Sequence, residues 1–178
     1  MKQKFLGVLL VVGLISSSAN AMPGFDLGVV GGLNYNISSY PSVSLLGNSV
    51  TASGGLGYSV GLEADLPLIN VKALYTQVST KTDMTILGVS SSTTSTSKSL
   101  QIPVHYSIGL AGFSVGVGGF YEKSFETNGD SNYGLSAGAK ASIPGTGIFA
   151  EGLVNYGLKS NNDVKSSLAV ILVGLNIL

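Results

Sequence analysis

Apolar side chains alternate with small or polar side chains along most of this sequence, starting at residue 25. Within residues 25–37 nearly every odd position is apolar, whereas the even positions include Asp26 and Asn34. Successive side chains of a β-strand point to opposite faces, so a period of two predicts a strand with one apolar face. A helical period of 3.6 residues would spread the polar positions around the whole helix. The alternation therefore predicts a β-protein.

The same alternation recurs seven more times, in segments of roughly the 9–12 residues that a tilted strand needs to cross a bilayer. The eight predicted strands cover residues 25–37, 56–66, 71–78, 100–108, 113–122, 133–143, 148–158 and 167–178.

The connections between these strands alternate between short and long. The short ones are 67–69, 109–112 and 144–146. The long, polar ones are 38–53, 79–99, 124–132 and 159–166. Short turns at one rim and long loops at the other are typical of a bacterial membrane barrel. Because residues 90–97 are all Ser or Thr, we expect the loop 79–99 to be a flexible surface coating, with an adhesive patch as the alternative.

The distribution of charge distinguishes a membrane barrel from a soluble one. Only 10% of the residues are charged, and the charged positions share a face with many of the Gly and Ser residues. Small and charged residues suit a crowded barrel interior, whereas a soluble sandwich or lipocalin-like barrel would place its large apolar residues inside. We therefore predict an all-β fold, an eight-stranded antiparallel up-and-down transmembrane β-barrel.

The N-terminus has the features of a secretory signal peptide. Lys2 and Lys4 precede an apolar core at residues 5–15, and Ala19-Asn20-Ala21 forms a small-x-small cleavage site. The core is too short to span a bilayer as a helix. We predict a signal peptide at residues 1–21 and a barrel domain at residues 22–178.

Tyrosine is concentrated at the long-loop ends of the predicted strands, which is typical of an aromatic girdle at a membrane interface. The predicted girdle consists of Tyr35, Tyr58, Tyr75, Tyr121, Tyr133 and Tyr156.

Three short motifs resemble a known family. The stretch from Ser99 to Val104 contains an L-x-I-P signature, Asn155-Tyr156-Gly157-Leu158 is similar to a penultimate strand, and residues 173–178 are similar to a closing strand. Together they resemble the outer-membrane β-barrel (porin-like, OmpX/OmpA-barrel) family of Gram-negative bacteria. The resemblance implies a monomer in the outer membrane, in contact with lipid and lipopolysaccharide and inserted by the barrel-assembly machinery.

Several titratable side chains fall on the predicted lumen face. Since charges in a narrow lumen must be paired or wet, we expect Asp65 to pair with Lys72 and Lys140 to pair with Glu151, each across a short turn. The predicted polar lumen residues are Glu63, Asp65, Lys72, His105, Lys140 and Glu151.

The sequence gives little support for catalysis or cofactor binding. His105 and Ser107 are similar to the His-x-Ser pair of outer-membrane lipid A deacylases, but we favour a hydrogen-bonded interior histidine. With one His and no Cys, we expect no metal site, no cofactor and no catalytic residues. A net charge of zero and the lack of Arg argue against nucleic-acid binding.

These observations favour a non-enzymatic protein that acts through its fold and its extracellular loops, in a structural or surface-interaction role. The alternatives are a narrow porin-like channel for small solutes and, ranked below it, a lipid A-modifying membrane enzyme.

We predict that the mature protein begins at Met22, because signal peptidase cleaves after a small-x-small site such as Ala19-Asn20-Ala21. Mass spectrometry of purified cell envelopes should find this N-terminus in the outer-membrane fraction. An uncleaved N-terminus, or a protein recovered mainly from the periplasm, would contradict the prediction.

Overall fold

A computed structural model describes residues 25–37, 43–45, 48–110, 112–126, 129–161 and 164–177. The predicted signal peptide at residues 1–21 lies outside these ranges. Among the described residues no helix is long and apolar enough to span a bilayer. The strands are β1 (Asp26–Asn36), β2 (Val43–Leu45), β3 (Asn48–Gly54), β4 (Leu56–Asp65), β5 (Ile69–Ile86), β6 (Val89–Leu110), β7 (Phe113–Ser124), β8 (Ser131–Ser142), β9 (Ile148–Asn161) and β10 (Val164–Asn176).

Eight of the strands close into a ring. Strands β4 to β10 pair in chain order with antiparallel neighbours, and β1 lies between β4 and β10. The closing ladder between β1 and β10 runs from Gly28 opposite Asn176 to Asn36 opposite Leu168. A closed ring leaves no unpaired strand edge within the barrel. The predicted eight-stranded antiparallel up-and-down barrel is confirmed.

The two faces of the barrel wall have opposite chemistry. On β1, for example, Val29 and Leu33 are 41% and 64% exposed on the outer face, whereas Asn34 is buried on the inner face. Large apolar side chains on the outside and buried polar ones on the inside are the reverse of a soluble barrel. The alternative of a soluble sandwich or lipocalin-like barrel is therefore wrong.

The turns at one rim are short, as predicted, although their bounds differ by a residue or two. Between β4 and β5 only residues 66–68 intervene, and the Leu66 amide donates to the Ile69 carbonyl over 2.8 Å. Between β8 and β9 the chain turns through Gly145 and Gly147, which have φ angles of 78° and 71°. Glycine adopts these left-handed conformations without the steric cost that a Cβ atom imposes.

At the opposite rim the structure departs from the expected flexible loop at 79–99. Strands β5 and β6 continue past the barrel as a regular hairpin, paired without interruption from Ser79 opposite Thr96 to Ile86 opposite Val89. The β-branched side chains of the many threonines favour extended backbone. The two turn residues, Leu87 and Gly88, both have positive φ, as a type I′ hairpin turn requires.

The predicted loop 38–53 also contains regular structure. Strand β3 pairs with the projecting part of β5, from Gly54 opposite Thr80 to Ser49 opposite Thr85, and β2 pairs with β3. We call β2, β3 and residues 79–86 and 89–98 the extension sheet. It continues the hydrogen-bonded ladders of the barrel.

The contact of the barrel's outer face with lipid can be tested by comparing two exposed valines. Val117 is 65% exposed near the middle of β7, and Val89 is 72% exposed in the extension sheet. Val117→Lys places a charge in hydrocarbon and should lower the free energy of unfolding by about 2–4 kcal/mol. In dilute vesicles, where no second bilayer is apposed, Val89→Lys faces water and should change it by less than about 0.5 kcal/mol.

Reversible urea unfolding in lipid vesicles measures both effects. Equal losses of stability in the two variants would show that the outer face of β7 does not contact lipid.

Candidate functional site

Alternate residues of the eight barrel strands point into the lumen, and many of them fall into three groups. An ionic cluster lies toward the short-turn rim and consists of Glu63, Asp65, Asn70, Lys72, Lys140 and Glu151. A polar network lies beside it and consists of Ser99, Gln101, His105, Glu122, Ser136 and Asn155. An apolar cluster consists of Val30, Leu74, Phe149, Leu153, Leu168, Val170 and Leu172.

The two lysines of the ionic cluster each contact more than one carboxylate. Lys72 Nζ lies 2.9 Å from Glu151 Oε1 and 3.9 Å from Glu63 Oε2. Lys140 Nζ donates to Glu63 Oε1 over 2.6 Å and also to Asp65. All but Asp65 of these five side chains are buried. The cluster therefore links three carboxylates and two ammonium groups through ion pairs of at most 3.9 Å.

These contacts correct the pairing expected from the sequence. Asp65 lies opposite Asn70, and Lys72 lies opposite Glu63, because the turn after β4 occupies residues 66–68. The expected pair of Asp65 with Lys72 is therefore wrong. Asp65 binds Lys140 instead.

Lys140 and Glu151 do lie opposite each other on β8 and β9, yet their charged groups bind elsewhere. Lys140 reaches across the lumen to Glu63 on β4, and Glu151 binds Lys72 on β5. A lysine stem is long enough to bridge a narrow lumen, so each ammonium group reaches at least one carboxylate of another hairpin. Lys140 Nζ also lies 3.9 Å from the centre of the Phe149 ring, in a cation–π contact.

His105 belongs to the polar network. Its Nε2 atom lies 2.7 Å from the Ser136 hydroxyl, which donates its proton to the Asn155 side-chain carbonyl. The Asn155 amide in turn donates to Gln101 over 3.1 Å. Since the Ser136 proton is already donated to Asn155, the histidine must donate to Ser136 from Nε2.

In this geometry His105 does not act as a base toward Ser136. A nucleophilic serine donates its proton to the histidine that acts as its base. In this lumen the histidine donates to Ser136, and both side chains are buried at 1% and 3% exposure. The structure joins His105 to Ser136 and Asn155, and Ser107 contributes to the wall of an adjoining cavity.

The apolar cluster was not anticipated as a lumen feature. Phe149 and Leu153 are buried at 1% and 2% exposure on the inner face of β9, and Leu172 of β10 is inaccessible. Gly174 makes room for the Phe149 ring, because a Cβ atom there would lie 2.2 Å from it. The sequence feature that indicates this cluster is the run of apolar residues on both faces of the last strand.

Little space remains between these side chains. A cavity of about 10 Å³, room for about one water molecule, is lined by His105, Lys140, Glu151 and their neighbours. Toward the short-turn rim the lumen widens into an open recess of about 360 Å³, whose lining includes Asp26, Asp65 and Lys140.

The six tyrosines proposed as a girdle lie toward the rim with the extension sheet. Five of them are 41–59% exposed on the outer face. Tyr75 is half-buried, with its ring centre 6.3 Å from that of Tyr58 and 6.1 Å from that of Phe125. Tyr121 lies directly opposite Tyr133. Their position at the membrane interface stays a prediction.

Comparison with known proteins gives structural matches only. No family model matches the sequence. No curated protein matches it significantly. The outer membrane protein OprG from Pseudomonas aeruginosa superimposes with a TM-score of 0.50 at 14% identity, over 86% of this chain and 94% of that one. The N-terminal β-barrel domain of OprF from the same organism gives 0.47 at 12% identity, over 86% and 99%.

The match to OprG agrees with the closed ring, the alternating faces and the short turns at one rim. Apolar side chains cover the outer face, as a bilayer requires. The chain therefore has the fold of an outer-membrane β-barrel.

Proposed function

We propose that this protein is a non-conducting outer-membrane barrel that acts at the cell surface through its extension sheet. The observation that carries the proposal is the filling of the lumen by the ionic and apolar clusters. Eight strands enclose an interior that side chains can fill completely. The barrel then serves as a membrane anchor for the extension sheet.

The packing of the lumen opposes the passage of ions. Leu74, Lys72 and Leu172 are each at most 1% exposed, on strands β5 and β10. An ion moving past the apolar cluster would lose its hydration without gaining polar partners. An ion moving past the ionic cluster would have to break the contacts of Lys72 or Lys140 in a region of low dielectric.

The extension sheet is suited to presenting a surface. Long loops of bacterial barrels face outward, so this sheet stands on the cell surface. Its β5–β6 hairpin continues the strands of the barrel wall. Lys81 and Asp83 pair over 3.1 Å on the polar face of the hairpin. Hydrogen bonds from Ser92 and Lys81 hold the pKa of Asp83 below its usual value. Asp83 thus stays charged at neutral pH.

We further propose that the barrel is a monomer in contact with lipid and lipopolysaccharide, inserted by the barrel-assembly machinery. The apolar outer face of the closed ring supports the lipid contact. We propose no catalytic role, because the buried His105 donates to Ser136 rather than activating it.

A narrow channel is the second candidate, and one observation favours it. The recess at the short-turn rim reaches Asp65 and Lys140, which also line the cavity of about 10 Å³. Rearrangement of the ionic cluster would extend this recess farther into the barrel. The channel function therefore requires the ion pairs to be easily broken.

Recordings in planar bilayers test the proposed function. The folded protein should give no resolved single-channel steps, because its lumen is packed. Phe149→Ala combined with Leu153→Ala removes two large side chains from the apolar cluster and should admit ions if packing blocks them. Stable unit conductance in the unmodified protein would refute the proposal and support the channel.

The ion pairing across the lumen predicts a specific pattern of double-mutant stabilities. Lys72→Met leaves Glu151 uncompensated and should lower the free energy of unfolding by about 3–5 kcal/mol. Adding Glu151→Leu removes the orphaned charge and should restore most of that loss. Urea unfolding in vesicles measures both.

The matched control combines Lys140→Met with Glu151→Leu. It leaves Asp65 without Lys140 and Lys72 without Glu151, so this double variant should be no more stable than Lys140→Met alone. Recovery of stability in this pair, but not in the Lys72 pair, would show that the charges pair within the β8–β9 hairpin.

A further inference from the structure

The end of the β5–β6 hairpin carries an uninterrupted group of exposed apolar residues. Leu87 is 87% exposed, Val89 is 72% exposed and Ile86 is 48% exposed. We call residues 86–89, which are the turn and its two flanking positions, the tip. Met84, 39% exposed, extends the apolar surface down the hairpin. Such a group on a hairpin otherwise rich in Ser and Thr marks an interaction site.

The conformation of Leu87 gives a second, independent observation. Its φ angle is 50°, in the left-handed region that Asn, Asp and Gly occupy at this turn position far more readily than Leu. Leu87 is the one non-glycine residue with positive φ in the described part of the chain. Local folding would favour Asn-Gly at residues 87–88. A strained leucine at the most exposed point is a reason to look for a function.

The surroundings of the tip carry no net charge to match a charged partner, because the nearest charged residues, Lys81 and Asp83, pair with each other over 3.1 Å. No residue from Met84 to Ser97 is Asp, Glu, Lys or Arg. The tip also stands well clear of the barrel's own apolar belt, since the nine steps from Gln77 to Ile86 span about 30 Å along an extended strand.

We propose that the tip inserts into a lipid bilayer that faces the cell surface. This inference deepens the proposed surface function and rests on it. A convex apolar tip has no groove in which a peptide or side chain could lie, whereas a bilayer can accommodate any protruding apolar shape. The uncharged tip, with the nearest two charges paired to each other, predicts insertion into zwitterionic lipid that depends little on salt. The tip thus makes the extension sheet a contact with an apposed membrane.

The absence of Trp from the sequence permits a direct test. Leu87→Trp places a single fluorophore at the tip, and Thr94→Trp places one on the exposed hairpin below it. Each folded variant, held in amphipol, is mixed with phosphatidylcholine vesicles carrying brominated acyl chains. We expect a blue shift and quenching for Leu87→Trp at both low and high salt. We expect neither for Thr94→Trp.

A second measurement uses the native side chains, so that the affinity of Trp for interfaces does not decide the result. Leu87→Asn with Val89→Thr creates a favoured Asn-Gly turn and keeps a β-branched strand residue, so the hairpin should persist without its apolar tip. Vesicle co-flotation should fall at least about tenfold relative to the unmodified protein.

Any of three vesicle results would overturn the inference: no quenching of Leu87→Trp, equal co-flotation of the unmodified and tip variants, or binding to anionic vesicles alone. A blue shift of the Leu87→Trp fluorescence with an added protein, but not with vesicles, would assign the tip to a protein pocket. This result would also overturn the lipid contact. Failure here is distinct from failure of the proposed function, because bilayer recordings test the closed lumen without involving the tip.

Discussion

Hydrocarbon offers no hydrogen-bond partner to a backbone N–H or C=O group, so a membrane-spanning sheet must have no edge. The ladder between β1 and β10 satisfies this requirement by pairing the first barrel strand with the last. Ring closure then determines the size of the lumen, which side chains point into it and which contact lipid. The ionic cluster, the apolar cluster and the extension sheet all depend on that closed wall.

The lumen combines two means of filling a narrow space. On β9 and β10, Phe149 and Leu172 exclude water as core residues do in soluble proteins. On β4, β5, β8 and β9, charged side chains occupy the lumen, and each lysine contacts at least one carboxylate from another hairpin. Such contacts tie β4 and β5 to β8 and β9 through side chains as well as through backbone pairing. Whether these pairs add net stability depends on the cost of desolvating them.

Much of the fold could be predicted from period-two patterning, because lipid and lumen demand opposite chemistry from neighbouring residues. The alternation of Val29 and Leu33 with Asn34 on β1 is sufficient to assign the faces. The ion pairs could not be predicted in the same way. A shift of the β4–β5 turn places Glu63 rather than Asp65 opposite Lys72, and contacts across the lumen depend on ring closure.

Two other features could not be predicted from sequence patterns, for physical reasons. Residues 90–97 are polar on both faces, and such a composition suits a flexible loop as well as a strand paired on one side. The hairpin there depends on the turn at Leu87-Gly88 and on the pairing of β5 with β3. Phe149 was missed because its interior position requires the space that Gly174 leaves in the next strand.

The central claim is that charged side chains close the lumen by pairing across it. Solid-state NMR of the folded barrel in lipid can measure dipolar couplings between lysine Nζ nitrogens and glutamate Cδ carbons, with the Lys72 signal assigned by its loss in Lys72→Met. Our account predicts a strong coupling of Glu151 Cδ to Lys72 Nζ and a weak one to Lys140 Nζ. A strong coupling of Glu151 to Lys140, with none to Lys72, would contradict it.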